Sequence, residues 1–192
     1  MGLTDISVPA ELLARALRGE PSARQSLYAA LAPAAAAFIR RLIGQRELAE
    51  DLFQDTMMLF YERLSQFRGE APLGAWLRQI ALTRCLMHLR SPWQRARLSL
   101  EPVDSSIEAE VMALVSPGYR PEQLDLERAL ARLGPTARAI VWMYEVEGYS
   151  HQEIAAAFGR SESFSKSQLA RAHARLRAWL EPTESHTSCT MI

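Results

Sequence analysis

Apolar residues recur every three or four positions along most of this chain, which is the period of an amphipathic α-helix. One such stripe predicts a first helix over 22–43, which Gly44 would end. A second stripe predicts a helix over 47–66. A third, in which basic residues are interleaved with apolar ones, predicts a helix over 76–90 that stops before Pro92. Two glycines and a proline in the loop 67–74 separate the second helix from the third.

The helical pattern is interrupted at 92–124. This segment carries four prolines and an acidic excess, and we interpret it as an interdomain linker with one short helix near 107–115. The period returns at 125, with breaks at Gly134-Pro135 and at Gly148. No segment has the alternation or the β-branched enrichment of a strand, so the predicted fold is all-α. It comprises two small helical domains, 1–91 and 125–181, followed by a tail at 182–192.

The composition is that of a globular protein: of 192 residues, 48% are hydrophobic and 23% are charged. The sequence has no apolar run near the roughly 18 residues of a membrane span, and its N-terminus lacks the basic and apolar segments of a signal peptide. We therefore expect a soluble cytoplasmic protein without membrane insertion. The two cysteines, Cys85 and Cys189, are too few for a zinc site, and neither a metal nor another cofactor is expected. The motifs of common enzymes, such as a Gly-rich phosphate loop, are missing, so we expect no catalysis.

The charge is balanced overall but uneven along the chain. There are 22 basic and 22 acidic residues, which argues against a protein that coats nucleic acid by bulk electrostatics. Residues 163–180, however, contain four basic residues and no acid. Basic charge is thus concentrated near the C-terminus of a neutral chain.

The basic stretch belongs to a predicted helix-turn-helix. Ser150 and Glu153 have the spacing of a capping box, and Gly159 is the expected left-handed terminator of a short first helix. A second helix would follow over about 162–180, and its outward face would carry Ser163, Phe164, Lys166, Ser167, Gln168, Arg171 and Arg175. These residue types suit the edges and phosphates of a DNA major groove. An αα-hairpin with a solvated basic face is the structural alternative.

Two separated blocks of sequence resemble a known family. The first contains AEDLFQDT at 49–56, FRG at 67–69, WL at 76–77, IA at 80–81 and HLR at 88–90; the second contains LGP at 133–135, EGYSHQEIA at 147–155, KS at 166–167 and LARA at 169–172. They are similar, in order and spacing, to regions 2 and 4 of the extracytoplasmic-function (ECF) sigma factors of the sigma-70 family. The resemblance implies a transcription initiation factor that binds core RNA polymerase and directs it to promoter DNA. It also allows for an anti-sigma factor as a further partner.

The resemblance implies a role for each set of residues. Region 2 would bind the clamp coiled coil of the polymerase through Glu50, Asp51, Gln54 and Asp55, although charge pattern alone is more typical of a solvated acidic face. The minus-10 strand would be captured and read by Phe67, Arg68, Arg78, Thr83, Arg84 and Arg90. Trp76 we expect in the core. The outward face of the second helix of the helix-turn-helix would read the minus-35 element.

A second hypothesis is an autonomous helix-turn-helix regulator that binds duplex DNA without polymerase. It explains the segment 150–180 but leaves the acidic helix, the loop 67–74 and the linker without a role. The two hypotheses differ in whether the protein shifts a promoter duplex alone or only together with core polymerase.

Overall fold

The computed structural model describes residues 2–91 and 121–180, without the side chains of 121–125. In these ranges the chain is helical and contains no strand, which confirms the all-α prediction. The predicted linker falls largely on 92–120, and the predicted tail on 182–192, and both of these segments lie outside the described residues.

The first part of the chain forms four helices in the order α1 (Ala10–Leu17), α2 (Pro21–Ile43), α3 (Arg46–Arg63) and α4 (Leu73–Arg90), with short 3-10 turns at Leu3–Asp5 and Leu64–Gln66. Helices α2 to α4 match the predicted ones within a few residues. Gly44 ends α2 in a backbone conformation with φ of 82°, which a residue with a side chain rarely adopts. Helix α4 begins at Leu73, three residues before the predicted start, because Pro72 is tolerated just outside the first turn.

The second part forms α5 (Pro121–Ala131), α6 (Pro135–Val141), a π-helical turn (Trp142–Val146), α7 (His151–Phe158) and α8 (Glu162–Leu180). Helix α5 begins four residues before the predicted return of the helical period. Its first residue is a proline, whose fixed φ suits the start of a helix. Helices α7 and α8 have the bounds that the helix-turn-helix interpretation requires, and α8 packs against α5, α6 and α7.

The N-terminal segment, for which the sequence pattern predicted no helix, is folded onto α2 and α4. Leu3 and Ile6 are buried, and α1 packs against α2. The Leu3 carbonyl oxygen lies so close to Gly74 that a Cβ atom added there would be 1.9 Å from it. Only glycine permits this approach at the start of α4.

Helix α2 is long and apolar enough to cross a membrane by length and composition alone. A core helix of a globular protein passes the same test, and the side chains of Leu27, Leu31 and Ile39 are completely buried among other helices of this chain. Pro33 lies inside α2, where it removes one backbone hydrogen bond. Packing on both sides of the proline, by Leu31 and Ala35, holds the helix together.

The buried side chains form two apolar clusters. One lies among α1 to α4 and contains Leu27, Phe60 and Leu77, together with Leu3 and Ile6. The other is shared: Ile39 of α2 and Leu86 of α4 belong to the same cluster as side chains from α6, α7 and α8. The two helical units of the described chain therefore pack on one another, with α6 against α2 and α7 against α4.

Candidate nucleic-acid interface

The helix-turn-helix is fixed by the capping box that the sequence predicted. The Glu153 backbone N–H donates to the Ser150 Oγ at 3.2 Å, and the Ser150 backbone N–H donates to the Glu153 carboxylate at 2.8 Å. The hydrogen bonds from Ser150 hold the pKa of the Glu153 carboxyl below its usual value. Gly159 ends α7 in the left-handed region with φ of 61°. These contacts set the direction in which α8 leaves the turn.

Helix α8 presents one apolar face inward and one polar face outward. Leu169, Ala172 and Leu176 are buried, as predicted. Five of the seven residues assigned to the outward face are exposed: Ser163, Lys166, Ser167, Arg171 and Arg175. The Lys166 ammonium is 2.6 Å from the Glu162 carboxylate one turn earlier, and this contact lowers the pKa of Glu162. The ion pair is exposed to solvent, so it stabilises the helix only slightly.

The remaining two residues of this face, Phe164 and Gln168, are half-buried. The Phe164 ring lies 6.2 Å from the ring of Phe158, and the Arg160 guanidinium lies over it at 5.8 Å. Phe164 therefore contributes to the packing between α7 and α8. Ser165, which the pattern did not single out, is fully buried and its hydroxyl lies 3.1 Å from the His151 Nδ1. Its spacing of four from Leu169 was the available sign that it faces inward.

The side chains of the loop 67–72 differ in how exposed they are. The Phe67 ring is half-buried and packs against Trp76 at 5.3 Å, and Trp76 packs in turn against Phe60 at 5.6 Å. Trp76 thus joins the core cluster, as expected. Arg68 by contrast is 83% exposed and lies 3.9 Å from the Glu70 carboxylate, a weak surface contact.

Along α4, the predicted minus-10 residues differ in their surroundings. Thr83 is exposed and its hydroxyl donates to the Gln79 carbonyl at 2.8 Å. Arg84 lies 3.6 Å from the Asp55 carboxylate of α3. Arg78 forms an ion pair with Glu147, and the Arg90 guanidinium donates to the Ala157 carbonyl at 3.2 Å. Glu147 and Ala157, the partners of Arg78 and Arg90, belong to the second helical unit.

The four residues assigned to polymerase binding lie on α3, and Glu50, Asp51, Gln54 and Asp55 are all exposed. Glu50 pairs with Arg46 at 3.0 Å along the helix. Asp51 and Asp55 are four positions apart on α3, a spacing at which like charges repel slightly, and Arg84 beside Asp55 offsets part of that repulsion. The described residues contain no group of three or more His, Cys, Asp or Glu side chains that could hold a metal ion.

Comparison with known proteins places this geometry in a family. The family pattern described as Sigma-70 region 2 matches residues 27–95, and the one described as Sigma-70, region 4 matches residues 123–176. The ECF RNA polymerase sigma factor SigM of Mycobacterium tuberculosis is 31% identical over 171 residues, which cover 87% of this chain and 82% of that protein. This chain belongs to the ECF sigma factors. The RNA polymerase sigma-E factor of Streptomyces avermitilis is 32% identical over 142 residues, or 74% of this chain and 76% of that protein.

Among solved structures, the fold is similar to that of the sigma factor RpoE from Bartonella quintana, crystallised with the anti-sigma factor NepR. The TM-score is 0.51 at 24% identity, and the match covers 83% of this chain and 97% of that one. As an ECF sigma factor, the chain is a transcription initiation factor, rather than an enzyme, that directs RNA polymerase to promoters.

Proposed function

We propose that this sigma factor binds core RNA polymerase through the acidic surface of α3 and reads promoters through α8 and α4. The observation that carries the proposal is the outward face of α8, where two arginines, a lysine and two serines are exposed opposite the buried stripe. In this helix the only acidic residue is Glu162, in the first turn. Such a face can enter a major groove without repelling its phosphates.

The length of this face suits a minus-35 element. From Ser163 to Arg175 the helix advances by about 18 Å at 1.5 Å per residue. Roughly five base pairs at 3.4 Å each cover the same distance along the DNA axis. We assign Lys166, Arg171 and Arg175 to phosphate or guanine contacts, and the serines to phosphates or base edges. Gln168 and Phe164 are half-buried, so each would offer only part of its side chain to the DNA.

We assign the minus-10 element to the loop before α4 and to α4 itself. A protein that opens a duplex has to compensate for lost base stacking, with apolar walls for the bases and cations for the phosphates. Phe67 offers part of such a wall beside Trp76, and Arg68 is exposed next to it. Thr83 and Arg84 would follow along α4, with Arg78 and Arg90 on the side that faces the second helical unit.

Asp51 and Asp55 give a direct test of polymerase binding. Replacing both by Arg places like charges against a basic coiled coil, which costs several kcal/mol in an interface. We expect the double variant to lose association with core polymerase in a pull-down while its helical circular dichroism signal stays unchanged. The matched control is Glu47→Arg with Glu62→Arg, which makes the same charge change at two other exposed positions of α3. If the Asp variant binds polymerase as well as the control does, the assignment is wrong.

A second experiment separates this function from that of an autonomous regulator. The protein is incubated with a library of promoter fragments, with and without core polymerase, and transcript starts are sequenced. A sigma factor gives starts at defined promoters only when both proteins are present. A specific shift of a duplex by the protein alone, with no effect of added polymerase, would support the regulator instead.

The proposed place of action is the cytoplasm, where polymerase and promoter DNA are present in a bacterial cell. We also propose an anti-sigma factor as a partner, in view of the Bartonella quintana relative that was crystallised with one. Co-purification of the tagged protein from its own host would test this partner.

A further inference from the structure

Helix α4 exposes one narrow line of side chains. Of its 18 residues, all of which the structure describes, four are exposed: Gln79, Thr83, Met87 and Arg90. Their spacings of four, four and three positions place them one above the other on a single face of the helix. This face is therefore the part of α4 that a ligand meets first.

The charges around this line favour a negatively charged ligand. Between Leu73 and Arg90 the sequence has three arginines and a histidine and no acidic residue. Arg84 and Arg90 stand three positions before and three positions after Met87, so a guanidinium flanks it on either side. The Asp55 carboxylate of α3 lies 3.6 Å from Arg84, which is too long for a hydrogen bond. The guanidinium thus keeps donors for the phosphates of a nucleic-acid strand.

Met87 is the one large apolar side chain on this line, and it is 58% exposed. A methionine left in water forgoes the free energy that its burial would contribute, so a ligand that covers it gains that free energy. Its thioether sulfur is a weak acceptor, and the side chain has no donor. A contact with Met87 therefore depends on apolar packing, which suits a methyl group and not a group that needs a hydrogen bond.

Thr83 adds a second apolar group to this surface. Its hydroxyl donates to the Gln79 carbonyl one turn earlier at 2.8 Å, so the hydroxyl hydrogen is used within the helix. What remains for a ligand is the methyl group and a lone pair of the oxygen. Thr83 and Met87 are four positions apart, which brings their Cβ atoms to about 5 to 6 Å from each other, a separation that one base can span. The two side chains form an apolar patch with cations at its margins.

We propose that Met87, with Thr83 beside it, is a specificity-determining residue that selects a thymine of the minus-10 element through its 5-methyl group. The inference rests on the proposed function for the role of α4. Thymine alone among the DNA bases carries a methyl group on its edge, and apolar contact with that group recognises it without a hydrogen bond. Cytosine at the same place leaves the patch without this contact. Adenine or guanine brings polar groups against a side chain that cannot bond them.

The test removes the methyl group from the DNA and the thioether from the protein. A promoter library with random minus-10 bases, transcribed by the full-length protein together with core polymerase, gives the positions at which thymine is preferred. Thymine at each of them is then replaced by uracil, which lacks only the 5-methyl group. At one position we expect initiation by the wild type to fall roughly fourfold, the factor that corresponds to about 0.8 kcal/mol for one buried group of this size. In Met87→Ala this fall should be absent.

Two variants serve as matched controls. Met58→Ala makes the same change at a methionine of α3 that is 64% exposed, and it should show the same fall on uracil as the wild type does. Met87→Leu keeps an apolar side chain of similar size and should also keep the fall. If Met87→Ala loses the same factor on uracil as the wild type at every position, Met87 does not read the methyl group and the proposal is wrong.

Other roles of Met87 give different results. Weaker binding of Met87→Ala to core polymerase in a pull-down, with an unchanged ratio of initiation on thymine and uracil promoters, would place the residue in a protein interface and overturn the proposal. A lower melting temperature with an unchanged ratio would make the residue structural and overturn it as well. Starts at defined promoters without any thymine preference would refute the thymine contact and leave the proposed function standing. No defined starts in the presence of polymerase would refute the proposed function, and the inference with it.

Discussion

Gly74 offers the sharpest test of how the N-terminal segment supports the minus-10 loop. It lies in the first turn of α4, directly after that loop, and a Cβ atom there would be 1.9 Å from the Leu3 carbonyl oxygen. Gly74→Ala therefore forces the N-terminal segment to move by more than about 1 Å, since protein interiors are close-packed and backbone cannot give way as a side-chain end can. The segment carries Leu3 and Ile6, which are 4% and 9% exposed.

The magnitude follows from this burial. Fully burying a Leu or Ile side chain contributes roughly 1.5 to 3 kcal/mol, so displacement of both removes about 3 to 6 kcal/mol at most. The higher helix propensity of alanine offsets up to about 1 kcal/mol of this loss in the free energy of unfolding. If half of the burial is lost, the net destabilisation is about 0.5 to 2 kcal/mol, or roughly 1 to 8 °C in melting temperature for a chain of this size.

The assay is urea unfolding followed by tryptophan fluorescence, with the same substitution in a chain that lacks residues 2–8. In the shortened chain the clash is gone, and Gly74→Ala should be neutral or stabilising by up to about 1 kcal/mol. A full-length variant that is more stable than wild type would refute the reasoning, because it would mean that the segment does not lie against α4. Equal destabilisation in both chains would also refute it, since the cause would then lie within α4 itself.

Three further predictions concern α8, the start of α7 and the core. Arg171→Ala should reduce transcription from promoters that need a minus-35 element, and if the contact is to a base the loss in DNA-binding free energy should be about 1 to 3 kcal/mol. Thermal stability should not change, because the side chain is exposed. A fall in melting temperature would mean that Arg171 has a structural role. The capping box stabilises α7 fully at pH values above the usual pKa of a glutamate, and this stabilisation is lost as the pH falls through the lowered pKa of Glu153. Ser150→Ala should therefore lower the free energy of unfolding by about 1 kcal/mol at neutral pH and by less in acid. Unfolding at several pH values measures the difference. Burial raises the pKa of Cys85 to about 12. In a Cys189→Ser background, iodoacetamide should therefore modify Cys85 at pH 8 only after the protein unfolds. Prompt modification of the native protein would contradict the burial of Cys85 in the shared core.

The helices and the helix-turn-helix could be predicted from the sequence because their signals are local. Apolar spacing places α2, α3 and α4 within a few residues, and the Ser150 and Glu153 pair marks the start of α7. The exposed basic face of α8 follows from the same periodicity, since positions opposite Leu169 and Leu176 have to face outward. The two motif blocks, compared with known families, identify the protein class.

Two features of region 2 needed the tertiary structure. Helix α1 is only eight residues long, which is too short to be stable alone, and packing against α2 makes it helical. Helix α4 is buried on more than one side, because α7 covers a part that region 2 leaves open. A stripe pattern therefore located Leu77 and Ile80 but gave no sign that Leu82 and Cys85 are buried as well.

The sequence by itself determined which faces of the longer helices are apolar and, within a few residues, where those helices begin and end; which residues meet nucleic acid stays a prediction. It did not determine which apolar face packs against which. Arg78 and Glu147 are far apart in sequence, as are Arg138 and Arg41, and nothing in the local pattern distinguishes these cations from solvated ones. Only the folded chain brings α2, α4, α6 and α7 into one core. The hydrophobic effect is non-directional, so which apolar faces pack together depends on the shape of the whole molecule.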